Sequence, residues 1–108
     1  MQLFGKNLDH EVAVVAEIGV NHEGSFDKAI TLMRLSHHAG ADAAKFQTFT
    51  PERLTSTSNS TRFERTSAFD LGETGFRNLA EEAAALDFPI FSTAASEDVV
   101  PLLDELFP

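Results

Sequence analysis

The residues best suited to chemistry are Glu17, Lys45 and Gln47, joined by a hydroxyl from the Ser92-Thr93 pair. Lysine offers fixed positive charge, a carboxylate can take or give a proton, and amide and hydroxyl groups orient a bound molecule. Their spacing matters as much as their type. In the run Asp42-Ala43-Ala44-Lys45-Phe46-Gln47-Thr48-Phe49, strand alternation sets Ala43, Lys45 and Gln47 on one face and Ala44, Phe46 and Thr48 on the other. The Phe46 face suits packing against helices, so Lys45 and Gln47 are expected on the opposite, inner face. In Val12-Ala13-Val14-Val15-Ala16-Glu17-Ile18-Gly19 the same reasoning turns Val15 and Glu17 inward and Ala16 and Ile18 outward. Both polar sets lie near the carboxyl ends of their strands. A lysine, a carboxylate and an amide pointed into a parallel-strand core are costly unless paired or bound to something. Two readings follow: a binding site, or a Glu17–Lys45 ion pair that ties neighbouring strands. Ser92 and Thr93 point to opposite faces, and periodicity does not choose between them.

The histidines say less. His37 and His38 fall at the end of a helix, where a cation suits the dipole, and read as surface or capping residues. His22 lies in the loop after the first strand, at no spacing that makes a metal motif. Walker, dinucleotide-binding and nucleophile-elbow patterns are absent.

The elements that would position these residues follow from periodicity and breakers. Val12–Gly19 is a continuous apolar run of the kind buried on both faces of a parallel sheet. Ser25 is an N-cap with Asp27 in the first turn, and Phe26, Ala29, Ile30, Met33 and His37 recur at helical spacing up to Gly40, a left-handed C′ residue. The second strand, 42–49, ends at Pro51. Residues 50–72 read as a long polar loop around Thr55-Ser56-Thr57-Ser58-Asn59-Ser60-Thr61. A second helix is expected near Glu73 or Thr74, with Phe76, Leu79, Ala80, Ala83 and Leu86 on one face. Phe88–Ala94 makes the third strand. Ser96 could cap a third helix with Glu97 and Asp98 in its first turn; Pro101 argues that this helix starts later or is kinked. The segment Met1–Glu11, with Gly5, could form a hairpin ahead of the first core strand. The order βαβαβα implies parallel strands in one domain, 1–108, an α/β class.

Composition narrows the function. The 17 acidic and 8 basic residues give a net charge of −9, which argues against nucleic acid or an anionic membrane as partner. An anionic small substrate remains compatible, since a few cations can dominate one pocket. Hydrophobic residues at 43% exclude a disordered chain, and the absence of cysteine excludes disulfides and thiolate chemistry. No apolar run is long enough to span a bilayer, and a soluble, cytoplasmic protein is expected.

Three blocks carry a resemblance. Ala16-Glu17-Ile18-Gly19-Val20-Asn21-His22-Glu23-Gly24-Ser25, Ala39-Gly40-Ala41-Asp42-Ala43-Ala44-Lys45-Phe46-Gln47-Thr48-Phe49 and Phe91-Ser92-Thr93 resemble, in order and spacing, the N-acetylneuraminate (sialic acid) synthase family. The similarity runs from about Val12 to Leu106. It implies the first three units of a (β/α)8 TIM barrel, incomplete in this chain. It also implies condensation of phosphoenolpyruvate with an N-acylated amino-sugar aldehyde, giving a nonulosonic acid and phosphate. On that resemblance Lys45 would hold the phosphoenolpyruvate charge, Gln47 would line the same pocket, and Thr93 rather than Ser92 would add a hydrogen bond. Glu17 would sit at the reacting centre, and Asn21 and His22 would shape the adjoining loop. The family implies a divalent metal (Mn or Mg), with ligands outside this chain, and a homodimer at full length.

Two departures stand out. Many relatives follow the third-strand threonine with Pro-Phe, where this chain has Ala94-Ala95-Ser96. The resemblance implies a fourth strand beyond these residues, where family members carry a further phosphate-binding lysine and serine, so the piece alone is expected to be inactive. Rival readings are a Schiff-base aldolase with Lys45 as nucleophile, and a non-catalytic α/β module that assembles through its sheet edges.

Overall fold

The computed structural model describes residues 1–107. Two short strands open the chain, β1 (Gln2–Leu3) and β2 (Lys6–Asn7), paired antiparallel as the expected hairpin. Its turn residues Phe4 and Gly5 both take positive φ (51° and 77°), as a tight two-residue hairpin turn demands. The core sheet follows: β3 (Val15–Gly19), β4 (Ala43–Thr48) and β5 (Ile90–Ala94), parallel and in the order β3-β4-β5. Helix α1 (Phe26–His38) links the first pair of strands and α4 (Gly72–Ala85) precedes β5. These are three β/α units in an open sheet, with no closed barrel among the described residues.

Helix α1 is delimited as its sequence dictates. The Ser25 hydroxyl accepts the Lys28 N–H at 3.2 Å, and Gly40 takes φ +94° beyond the C-cap. Ala29, Ile30 and Met33 are buried against the sheet, joined by Phe76, Leu79 and Ala83 of α4. From the sheet side Ile18, Ala44, Phe46 and Ile90 complete this core. All the helix packing therefore lies on one face of the sheet.

Three expectations are corrected. Residues 50–72, read as a loop, hold two helices, α2 (Pro51–Leu54) and α3 (Ser60–Ala68). Neither buries a residue fully, so hydrophobic periodicity gives no sign of them. Their markers are Pro51 in the first turn of α2 and Asn59, whose side chain caps α3 through the Arg62 N–H at 3.2 Å. Secondly, the strand expected over Val12–Gly19 begins only at Val15, and Val12 and Val14 are 76% and 55% exposed. Both valines lie in the irregular stretch ahead of the strand, outside the part of the sheet that the helices cover. Thirdly, Ser96 does not cap a helix. Its hydroxyl accepts the Thr50 N–H at 3.1 Å, Glu97–Val99 form a 3₁₀ turn, and α5 (Val100–Leu106) starts with Pro101 in its first turn. Proline thus occupies the place that suits it.

Candidate functional site

The bare face of the sheet carries the polar residues. Glu17 pairs with Lys45 and Lys45 with Phe91 across the three strands, and Gln47 pairs with Thr93 one step nearer the carboxyl ends. Residues in register on parallel neighbours share a face, so Glu17, Lys45, Gln47 and Thr93 project together. The helix-facing residues are Ala16, Ile18, Ala44, Phe46 and Ile90. The hydroxyl ambiguity is resolved in the same way. The Ser92 hydroxyl lies 2.6 Å from the Thr48 hydroxyl toward the helix layer, leaving Thr93 on the bare face.

Glu17 and Lys45 are joined by a 3.2 Å salt bridge, with side chains 53% and 34% exposed. They are not turned into an enclosed cup: the three strands make one wall of such a cup and the rest of the rim is open. At that exposure the pair contributes between about 0 and 1 kcal/mol to stability. That is too little for a device whose task is to hold strands together, since both strands already share a backbone ladder. Level with the pair on the third strand, Phe91 stacks on Phe4 with ring centroids 5.6 Å apart. The hairpin thereby sets an apolar contact beside the polar row.

Gly19 lies beside the row and was not singled out by alternation. Its marker is a glycine two residues after a strand carboxylate. Between Glu17 and Gly19 the register slips, with Gly19 opposite Phe46, so Ile18 is the extra residue of a bulge.

His22 belongs to the other face. It is fully buried, stacked on Phe46 at 6.3 Å, and its Nδ1 accepts the Gly24 N–H at 2.9 Å. The proton is therefore on Nε2, which has no hydrogen-bond partner. Burial holds the imidazole pKa below its ordinary value, with the nearby Asp70 carboxylate pulling the other way. His22 thus shapes the β3–α1 loop from within the core, far from solvent. His37 is exposed and lies against Phe88 at 4.9 Å, and His38 is exposed at the end of α1, as surface residues.

Among the described residues, no group of three or more His, Cys, Asp or Glu side chains is placed to hold a metal ion. The residues present do not by themselves make a metal site. A separate hollow of about 520 Å³ opens near α2, α4 and α5, lined by Glu52, Asp70, Glu73 and Asp98 and by no lysine or arginine. Four carboxylates repel a phosphate ester. An anion is better served by Lys45. Among the described residues no helix is long and apolar enough to cross a membrane.

Comparison with known proteins is consistent with this geometry. Pseudaminic acid synthase of Campylobacter jejuni is 41% identical over 63 residues, which are 58% of this chain and 18% of that protein. The spore coat polysaccharide biosynthesis protein SpsE of Bacillus subtilis is 36% identical over 101 residues, 89% of this chain and 22% of its own length. The chain thus spans about a fifth of the length of these curated relatives. In three dimensions it is similar to the N-acetylneuraminic acid (sialic acid) synthetase of Leptospira borgpetersenii, with a TM-score of 0.82 at 24% identity, covering 91% of this chain and 34% of that one. The model of the NeuB family matches residues 32–108, which include two of the three strands and both Lys45 and Thr93. The chain belongs to the NeuB family.

Proposed function

We propose that these residues form part of the active site of a nonulosonic acid synthase, which condenses phosphoenolpyruvate with an N-acylated amino-sugar aldehyde and releases phosphate. The observation that carries this reading is the row of Glu17, Lys45, Gln47 and Thr93 on the face of a parallel sheet that no helix covers. Polar residues at the carboxyl ends of such strands serve catalysis in barrel enzymes. The names of the relatives, acid synthases and a polysaccharide biosynthesis protein, support the same class.

In the reaction a carbon–carbon bond forms between the enol carbon and the aldehyde carbon, and the aldehyde oxygen takes up a proton. Water then adds at the phosphate-bearing carbon and gives up a proton, and the bond from that carbon to the phosphate oxygen breaks, so that phosphate leaves and a ketone remains. Lys45 supplies the positive charge that an anionic ester requires, and its present partner Glu17 yields it to the ligand. Glu17, freed at the same spot, is the group within reach to move a proton. Thr93 and Gln47 orient the ester through their hydroxyl and amide. A divalent metal, Mn or Mg, would be held by residues outside this chain and would polarise the aldehyde oxygen, and the steps above use protein groups alone.

The complete enzyme is proposed to be a cytoplasmic homodimer that binds neither membrane nor nucleic acid. The net charge of −9 supports the last point. The 108-residue chain alone is expected to turn over nothing, because it forms only one wall of the site. The test is phosphate release from phosphoenolpyruvate by the complete protein, across a panel of N-acylated aldoses with metal supplied. Release with one of them supports the synthase. No release with any, or borohydride trapping of a keto acid on Lys45, rejects it.

A further inference from the structure

We infer that Phe4 is a positioning residue for Lys45: its ring, held by the hairpin turn against Phe91, fixes the apolar flank beside the lysine on the bare face of the sheet. The consequence for catalysis rests on the proposed function, and the contact itself does not.

Phe91 stands level with Lys45, in register on the neighbouring parallel strand, and shares its face. Lys45 therefore has the Glu17 carboxylate on one side, 3.2 Å away, and Phe91 on the other. The helix layer lies on the opposite face and cannot hold that ring. Phe4 does, with ring centroids 5.6 Å apart and planes 22° from parallel. Both rings are half-buried, and a stacked pair restrains the rotamers of each beyond what area alone would give. A ring free to turn would open the lysine stem to water. Held in place, it gives the stem an apolar wall and leaves the ammonium to Glu17, or to a ligand that displaces Glu17.

The residue type is unexpected for its place. Phe4 takes φ +51° as the first residue of a two-residue turn completed by Gly5 at +77°. Such turns favour asparagine, aspartate or glycine, and the left-handed region is unfavourable for a bulky side chain. Among the described residues the other non-glycines with positive φ are Glu23 and Asp87, both polar. Nor is the ring needed to fasten the hairpin. Lys6 Nζ meets the Asp42 carboxylate at 3.1 Å and donates to the Val12 carbonyl at 3.0 Å, an anchor that owes nothing to Phe4. A turn that only had to close would do better with asparagine. The phenylalanine is accounted for by where its ring lands.

The test compares Phe4→Asn, which suits the turn and removes the ring, with Phe4→Tyr, which keeps the ring. The acetylation rate of Lys45 is read by mass spectrometry in the 108-residue chain, with Lys28 on α1 as the internal control, and kcat/KM in the complete protein. The Lys45 side chain is 34% exposed, so freeing it can raise its accessibility by about threefold at most, and about twofold is expected in Phe4→Asn with Lys28 unchanged. In the same variant kcat/KM is expected to fall by about tenfold or more, the scale of a small misplacement of a binding group, while Phe4→Tyr keeps both wild-type values. Should Phe4→Asn fail to fold, Phe91→Leu, which removes the stack from the strand side, replaces it. The inference is overturned if Lys45 reacts at the wild-type rate without the stack, if Phe4→Tyr behaves as Phe4→Asn does, or if the rate rises while kcat/KM stays. If the wild-type complete protein shows no synthase activity, the functional reading fails by itself, and the acetylation comparison still decides what Phe4 does.

Discussion

The exposure of Lys45 and Glu17 argues against a structural role for the pair and accords with the functional one proposed. A pair this open to water is screened, and its loss leaves the fold almost unchanged. Bringing an anionic ester to the sheet without Lys45 is another matter, because its charge has no substitute on this wall. Lys45→Met is therefore expected to shift the melting temperature of the chain by only a few degrees, the equivalent of about 1 kcal/mol or less. In the complete protein it is expected to lower kcat/KM by about 10²-fold or more. Thermal melts alongside phosphate-release kinetics check both halves. A large loss of stability with intact turnover would return the pair to a structural tie.

At the scale of elements, the β3–α1 loop is held from inside. Its imidazole is neutral, buried and bonded to the Gly24 amide, and a β-carbon on Gly24 would lie 1.8 Å from the Ala68 carbonyl oxygen at the end of α3. No flexible side chain can yield there, since both parties are backbone. Gly24→Ala is expected to push the loop off α3 and destabilise the chain by roughly 1–3 kcal/mol, read from the urea midpoint. The same loop has a pH signature. With the folded pKa of His22 lowered, the unfolded chain binds the proton first as pH drops below about 6.5, so acidification favours unfolding. Stability is full above that pH and falls through the window beneath it, down to the folded pKa. Urea unfolding at about pH 7.5 and about pH 5.5 should show the loss in the wild type and a flatter response in His22→Gln, which keeps an acceptor for Gly24. An equal slope in both would clear His22 of the effect.

The whole molecule is a helix layer on one side of an open sheet, tied at the foot by the hairpin. Asp42 organises that foot. Its carboxylate accepts the Val14 N–H at 2.7 Å and meets Lys6 Nζ at 3.1 Å, while Lys6 also donates to the Val12 carbonyl at 3.0 Å. The Val14 amide is the main reason that the Asp42 pKa lies below the ordinary carboxylate range, and Lys6 adds to it. A lowered carboxylate pKa stabilises the fold at neutral pH and loses that contribution as pH falls through the folded value. Asp42→Asn should therefore weaken the chain at neutral pH and narrow the difference in strongly acid solution, as chemical denaturation across pH will show. The core itself depends on few side chains. Phe46 and Phe76 are each 1% exposed, and Phe76→Ala should cost about 3–5 kcal/mol, enough to unfold much of a domain this small. A melting temperature within a few degrees of wild type would show that the helix layer is not what holds the sheet.

What the sequence by itself determined is everything that depends on neighbours along the chain. Strand alternation alone put Lys45 and Gln47 opposite Phe46, and the Ser25 and Gly40 signals bounded α1 to the residue. The hairpin and the late start of α5, with Pro101 in its first turn, were legible for the same reason, since turn and proline chemistry act within a few residues. Tertiary structure decided the rest. Helices α2 and α3 bury no residue fully, so the apolar period that reveals α1 and α4 is missing from them, and only contacts such as Thr55 to Thr66 at 3.0 Å hold them in place. The burial of His22 depends on what packs over it, which its loop sequence does not encode. Val12 and Val14 are exposed because they precede the strand and the helix layer does not reach them, and an apolar run cannot say by itself how far the layer above it extends. The choice between Ser92 and Thr93 followed from parallel register, a relation between strands far apart in sequence.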